Sequence, residues 1–580
     1  MAHKSSSKLQ YAHTPAGHKV IPVLDHPSSV PPRDEESAAD YNSGGYLQVN
    51  VADSFKDNRY IVVRKLGWGH FSTVWLVKDT RENKHSALKV VKSAGRYAET
   101  ARDEIKLLKQ IQETHPPHPG RAHVVSFLDS FTHSSPTGSH VCMTFEPLGE
   151  NLLSLIEKNR RKGIAPCVVK SIARQLLLGL QYLHEQCDLV HTDIKPENIL
   201  MSIPDVEAHI ATQLSSSPTP QTYKLAIPPT TRSRRISSIS TQPLAAHSRS
   251  VHIFESQPLR SPSRHHLLSS SSSGSISSMV FTPMSEHDSI RTAATTPATS
   301  LGNAMAKLKL SPALRSAPSP PSPSSPVMPT VSEVEVPDES TKAAITSGPS
   351  LLSQTAPHNH AASRSRSRTP SSPSVSRDSS LSSTSTACSA LSADAPFTPI
   401  SIKIADLGNA TPSKRHYTED IQTRQYRSPE AIIGRSDWGC AVDVWSVACV
   451  VFELLTAEYL FEPQGQGQLF SKDDDHMAQI IELLGDIPPH IKNGGRYSRE
   501  LFDSSGGLRY IRHLKPWPLA RVMREKYLFA PEDADALCAF LKPMLNLDMH
   551  KRAKAGEMSA HSWLDIQWDR EAAQLEKVVW

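Results

Sequence analysis

His191-Thr192-Asp193-Ile194-Lys195-Pro196-Glu197-Asn198-Ile199-Leu200 is the stretch whose reading decides the fold. It supplies an aspartate able to accept a hydroxyl proton, a lysine two positions on, and an asparagine five positions on able to hold a metal ion. A polar loop could carry the same Asp and Asn merely to make turns. The two readings separate on whether the partners such a loop requires occur elsewhere in the chain, in the required order.

Upstream, Tyr60 to Leu66 alternates like a strand, runs into Gly67-Trp68-Gly69-His70-Phe71-Ser72-Thr73-Val74, and resumes strand character at Trp75 to Val77. Strand, glycine turn and strand can cover ATP phosphates: Gly67 and Gly69 let the backbone approach, and Leu66, Val74 and Ala87 frame the adenine. Ser72 stands where a third glycine is usual, so this motif alone also reads as an ordinary hairpin. Ser86 to Val91 is an apolar strand with one lysine in it, and a lysine there needs an anionic partner because an unpaired buried charge is expensive. Lys89 is the candidate phosphate ligand. Glu104, on a helix expected at about Thr100 to Gln110, is its candidate partner.

Val141 to Phe145 is a further apolar strand, followed by Glu146-Pro147-Leu148-Gly149 as a hinge whose backbone would bind adenine, with Phe145 at the back of the pocket. Leu152 to Ile156 and Val168 to His184 have helical periodicity and deliver the chain to the loop around Asp193. From about Ile203 to Pro399 the sequence turns to Ser, Pro, Thr and Ala with scattered Arg. So few large apolar residues cannot offset the entropy of ordering, and a disordered insert is expected. It contains the alternation Ser363-Arg364-Ser365-Arg366-Ser367-Arg368. Strand character resumes at Ser401 to Ala405 and leads into Asp406-Leu407-Gly408, a second metal ligand. Glu430, in Arg427-Ser428-Pro429-Glu430, is expected to pair with Arg552, and Asp443 to anchor the backbone of the loop at Asp193.

Phosphoryl transfer asks a protein mainly for positioning and charge compensation. The parts are present: Lys89 with Glu104, Asp193 as base, Lys195 to offset charge on the phosphate in flight, and Asn198 with Asp406 for a metal. One carboxylate and one amide suit Mg2+, which keeps waters and bridges to substrate phosphates. Thr192 stands where an arginine commonly pairs with a phosphorylated activation segment. Activity is therefore expected not to require phosphorylation of Thr411, Ser413, Tyr417, Thr418 or Thr423.

Composition agrees with one large folded unit plus an unpacked remainder: 580 residues carry 45 prolines and a net charge of +5, too small to suggest nucleic-acid binding. Seven cysteines occur with no C-x-x-C pair, so neither a zinc site nor a disulfide framework is indicated. Met1 to Gln10 lacks the apolar run of a signal peptide, and Val442 to Leu455, interrupted by Asp443 and Glu453, reads as a buried helix rather than a membrane span.

The chain resembles the SR-protein kinase family of the protein kinases, within the group that includes cyclin-dependent and MAP kinases. The resemblance rests on Arg64 to Trp75, His191 to Leu200, Ala405 to Ala410 and Thr418 to Ser428, and extends through Tyr459 to Pro463 and Asp475 to Gly485. It implies an α+β bilobal protein kinase fold, with a β-rich small lobe and a helical large lobe, interrupted by a long disordered insert. It implies ATP and Mg2+ as cofactors and a serine kinase acting on Arg-Ser repeats of SR splicing factors. It also implies a docking groove at Asp475, Glu482 and Lys515, where carboxylates would hold arginines by charge-assisted bonds. The expected divisions are 1–59 as a mostly flexible lead-in, 60–149 as small lobe, and 150–202 and 400–566 as large lobe. The insert is 203–399 and the tail 567–580. Tyr41 to Val51, with its Gly44-Gly45-Tyr46, is the part of the lead-in that could dock. A monomer in cytoplasm and nucleus is expected, with no nucleic-acid or membrane partner. Thr411-Pro412 departs from the Cys-Trp usual in the family, and Pro429 from its leucine. Rival readings are a proline-directed or dual-specificity kinase of the same group, and a kinase-fold scaffold.

Overall fold

Alternation between Tyr60 and Val91 builds the centre of a six-stranded antiparallel sheet. Its order is Ser54–Phe55, Tyr60–Gly69, Ser72–Asp79, Lys84–Val91, Gly138–Phe145, Phe127–Ser135. The structure, a computed structural model, describes residues 35–216, 221–228, 250–261 and 400–580, together with the backbone of a hairpin pairing Lys8–Thr14 with Gly17–Val23. In the Lys84–Val91 strand, Leu88 and Val90 join an outer apolar cluster with Val62, Trp75 and Cys142. Period two then puts Lys89 on the opposite face, next to Val74 on one neighbouring strand and Met143 on the other.

The helix after this strand spans Gly95–Glu113, longer than the sequence pattern suggested, and buries Ala98, Ala101, Leu107, Leu108 and Ile111. Glu104 lies in that buried stripe, so the packing that seats the helix also points this carboxylate at the sheet. The large lobe is built on Pro166–Gln181, Ala441–Thr456 and Pro531–Met544. Ala441–Thr456 is buried along nearly its whole length, Asp443 and Glu453 included, as the reading of a core helix requires. Among the described residues no helix is long and apolar enough to cross a membrane. Arg552 donates to both oxygens of Glu430 at 2.6 and 2.9 Å with neither side chain exposed, as expected.

The insert interrupts the chain without separating what flanks it. Ile199–Met201 pairs antiparallel with Ile402–Ile404, with Met201 opposite Ile402, and Ser202 N–H donates to the Ser401 carbonyl at 2.8 Å. Residues 203–399 thus leave and return at adjacent points of one ladder, where a long loop costs little more than a short one.

Two sequence expectations need correction. The insert is not structureless from its first residue: Val206–Ser216 is a helix, and Thr222–Ala226 pairs with Ser250–Phe254. Ile210, Phe254 and Leu259 complete the outer cluster of the small lobe, Phe254 edge-on to Trp75 at 5.8 Å. The lead-in is not wholly loose: Tyr41, Tyr46, Leu47, Val49 and Val51 are buried, so its Tyr41 to Val51 segment does dock. The tail packs too, with Leu575 and Val578 in the core and the Val579 N–H and carbonyl both bonded to the Asn159 side chain. Sparse apolar residues hide in averaged composition, but each meets a complementary surface. Most of the insert, including the Ser363–Arg368 alternation, lies outside the described residues.

Were the insert only a spacer, truncating Phe254 would be neutral. Instead, Phe254→Ala should lower unfolding stability by about 3–5 kcal/mol, measured by urea denaturation followed at the small-lobe tryptophans.

Candidate active site

One buried carboxylate holds the loop that carries the base. Asp443 accepts the His191 N–H at 2.8 Å and the Thr192 N–H at 2.9 Å, and its Oδ2 also meets His184 Nε2 at 2.8 Å. Thr192 has a φ of +67°, a conformation a β-branched residue rarely adopts. Three bonds hold it there: its N–H to Asp443, its hydroxyl donating to the Asn409 carbonyl at 2.9 Å, and its carbonyl accepting the Gln422 N–H at 2.9 Å. The residue in the usual arginine position therefore ties the loop directly to the segment after Asp406.

Asp193 sits in a closed polar arrangement. Lys195 Nζ lies 2.8 Å from its Oδ2, the Thr423 hydroxyl donates to its Oδ1 at 2.7 Å, and Lys195 donates to that hydroxyl at 2.9 Å. Asn198 Nδ2 donates to the Asp193 carbonyl at 2.8 Å and to Oδ2 at 3.2 Å. Burial works to raise the Asp193 carboxyl, but the Lys195 ammonium and the bonds from Lys195 and Thr423 outweigh it and hold it below the ordinary range. The group is therefore ionised at neutral pH and able to accept a proton.

On the facing lobe, Lys89 Nζ is 2.8 Å from Glu104 Oε1 and 3.6 Å from Asp406 Oδ1. Burial opposes its charge, yet the two carboxylates hold its pKa above the usual lysine value. Asp406, at φ +58°, keeps its side chain about half exposed while Leu407 beside it is buried. His191 Nε2 lies 3.0 Å from the Ala405 carbonyl, and the Ala405 N–H donates to the Asn198 carbonyl at 2.9 Å, so Asn198 and Asp406 stand on adjoining segments.

The residues expected to frame a nucleotide share one property: Leu66, Gly67, Gly69, Val74, Ala87, Phe145, Glu146 and Leu148 are all half-buried, lining a cleft rather than filling a core. Val74 pairs across the sheet with Lys89 and Gly67, and Ala87 with Phe145. A Cβ added at Gly67 or Gly69 would meet nothing within 4 Å, so the hairpin leaves room beside its backbone. Glu146 uses its carboxylate elsewhere, accepting the Ser126 N–H at 2.7 Å and pairing with Lys403 at 2.7 Å. Its contribution to the hinge is its backbone. The donor set fits ATP and a divalent cation. Lys89 and the hairpin amides suit phosphates, while Asp406 and Asn198 would supply two oxygen ligands to the cation. With both bound, the metal would offset charge on the phosphates, and Asp193 would take the proton of the acceptor hydroxyl.

Sequence reasoning missed one member of this site. The sequence marks Thr423 only as a residue whose phosphorylation is dispensable, whereas its hydroxyl lies between Asp193 and Lys195. Its spacing from Asp193 carried no local signal. Two of the residues expected to dock substrate are covered by neighbouring segments. Asp475 and Glu482 share a face of Lys472–Leu484, but both are buried: Asp475 accepts the Gln464 N–H and the Gln479 amide, and Glu482 accepts the Lys515 N–H. They brace the segments that cover them, while the Lys515 side chain is exposed. Asp474 caps the helix through Ser471, and Asp473 pairs with Arg424.

An ionised aspartate beside a lysine, a Lys–Glu pair on the facing lobe, and an Asn and an Asp whose oxygens could hold a cation are the arrangement of a protein kinase. The protein kinase domain family matches residues 60–212 and 394–564, on both sides of the insert. Protein kinase dsk1 of Schizosaccharomyces pombe is 40% identical over 533 residues, covering 91% of this chain and 85% of that protein. SRSF protein kinase 3 of Homo sapiens is 40% identical over 563 residues, covering 92% and 90%. The serine/threonine-protein kinase SKY1 of Saccharomyces cerevisiae is 39% identical over 585 residues, covering 93% and 78%. The chain belongs to the SRSF protein kinase family and is a serine/threonine protein kinase.

Removing the Thr423 hydroxyl deletes a bond to the ionised base. Thr423→Ala should lower kcat about tenfold to a hundredfold with little change in ATP KM, and Thr423→Ser should restore it, read from initial rates on a fixed peptide.

Proposed function

We propose that this kinase transfers the ATP γ-phosphoryl group, with Mg2+, to serines in Arg-Ser repeats of SR splicing factors, and so regulates mRNA splicing. The observation that carries this reading is similarity at 40% identity over nine-tenths of both chains to a kinase named for SRSF proteins. It acts on those substrates as a monomer in cytoplasm and nucleus, without nucleic-acid or membrane partners. The docking of an arginine-rich flank at Asp475, Glu482 and Lys515 rests on the family resemblance, since both carboxylates are covered.

A specific geometry favours a second reading. Gln422, at φ +66°, gives its carbonyl to Arg427 Nε and Nη2 at 3.2 and 2.9 Å, next to Thr423 at the base. A carbonyl so engaged has less to offer a substrate N–H following the target serine. Proline, which has no N–H, is thereby tolerated there. Phosphate incorporation from ATP and Mg2+ into an Arg-Ser-repeat peptide should exceed that into a Ser-Pro peptide and vanish in Asp193→Ala. Higher incorporation into the Ser-Pro peptide would transfer the assignment to the proline-directed reading.

We further propose that activity is independent of phosphorylation in the segment 410–428. Thr192, Gln422 and Arg427 hold it through neutral bonds and the Arg427–Asp420 pair at 2.9 Å. Enzyme made in bacteria and treated with phosphatase should keep its kcat; loss of turnover with fold intact by circular dichroism would reject this.

A further inference from the structure

Tyr46 lies outside every motif that defines the reaction, in the one segment of the lead-in, Tyr41 to Val51, that the sequence marked as able to dock. Its side chain is 2% exposed, and its hydroxyl donates to the Gly69 carbonyl, in the glycine hairpin, at 2.6 Å. The ring is clamped, with Lys92 Nζ 4.1 Å from its centroid and the Tyr41 ring at 5.5 Å. The approach depends on the two residues before it. Gly44 has a φ of +82°, and a Cβ on Gly45 would lie 1.8 Å from the Asp40 carbonyl oxygen, so no other residue fits there. The Gly44 and Gly45 carbonyls in turn accept the Ala94 and Ser93 N–H groups at 3.0 Å, at the start of the helix that carries Glu104. One short loop therefore grips both the hairpin over the cleft and the helix that supplies the Lys89 partner.

We propose that Tyr46 is a positioning residue for the nucleotide phosphates, setting the Gly69–His70 peptide from outside the cleft. The inference rests on the reading of this hairpin as the phosphate cover. In a trans peptide the C=O and the following N–H point in opposite directions. The structure has no cis peptide among the described residues, so holding the Gly69 carbonyl toward Tyr46 turns the His70 N–H away from it. Glycine lets that peptide plane rotate at little cost, and a turn amide binds a phosphate only when it faces it. The Lys92 N–H, donating to the Phe71 carbonyl at 2.9 Å, secures the other side of the same turn. Burial and the nearby Asp40 and Glu36 carboxylates raise the Tyr46 phenol above its ordinary range, so the hydroxyl remains a donor across physiological pH.

The test compares Tyr46→Phe, which removes only the hydroxyl, with Tyr41→Phe, which makes the same change on the neighbouring ring whose hydroxyl serves Glu36 instead. In full-length protein free of nucleotide, amide hydrogen exchange at residues 66–72 should be faster in Tyr46→Phe than in wild type or Tyr41→Phe. Affinity for ADP and for a non-hydrolysable ATP analogue, by titration calorimetry, should fall about threefold to tenfold in Tyr46→Phe alone. The ATP KM should rise with it, with peptide KM and thermal midpoint unchanged. Wild-type exchange and affinity in a folded Tyr46→Phe would overturn the proposal, as would an equal loss in Tyr41→Phe, which would mean a general loosening of the lead-in. Failure of the wild type to bind either nucleotide would instead overturn the reading of the hairpin, and the proposal with it.

Discussion

The Asp443 carboxylate, buried in a helix that is apolar on nearly every side, is the interaction on which the site depends. Two backbone N–H groups in the interior need an acceptor, and a buried carboxylate needs donors. His191 and Thr192 meet both needs at once. Because the helix is fixed by its own packing, the loop inherits a fixed origin, and Thr192 can be held at a positive φ. From there the order of the site follows: Asp193 next in the chain, Asn198 five residues on, and the segment ending at Thr423 bonded back to Thr192.

This arrangement explains how a chain interrupted by nearly two hundred residues keeps its catalytic groups in register. The two candidate metal ligands lie on opposite sides of the insert in sequence, yet Asn198 stands just before one strand of a ladder and Asp406 just after its partner strand. Closing that ladder brings Asp406 to Asn198 whatever lies between, since the entropic cost of the loop grows only slowly with its length. The parts of the insert that are described are not passive. They finish the outer face of the small lobe, where the Phe254 ring covers Trp75 and its carbonyl accepts from the buried Lys65 ammonium beside Glu35 and Glu36. Lead-in, hairpin strand and insert thus meet at one buried charge, which none could satisfy alone.

Much of this was legible before any coordinates. Lys89 with Glu104, Glu430 with Arg552, and Asp443 with the backbone at His191 and Thr192 were legible from a lysine in an apolar run or from the motif pattern, and these pairings are made; Asp193, Asn198 and Asp406 were legible from the spacing of their motifs. Val206, Ile210 and Leu214 carried a helical signal at intervals of four, and Val251 to Phe254 a strand signal. Both were lost because composition was averaged over the whole Ser-rich insert. The buried state of Asp475 and Glu482 was not legible, because the covering backbone at Gln464 and Lys515 comes from distant segments.

What the sequence determined by itself was the chemistry: which residues can bear charge in an apolar setting, and in what order they follow one another along the chain. The physical reason is locality. A lysine in a buried strand, or an aspartate five residues from an asparagine, states its needs within a few positions. Only the tertiary structure decided which distant groups meet those needs. Thr423 joined Asp193 and Lys195, Thr192 took up the activation segment, and Tyr46 reached across to Gly69. Each of these is a hydrogen bond between segments whose nearness exists only after the core has packed.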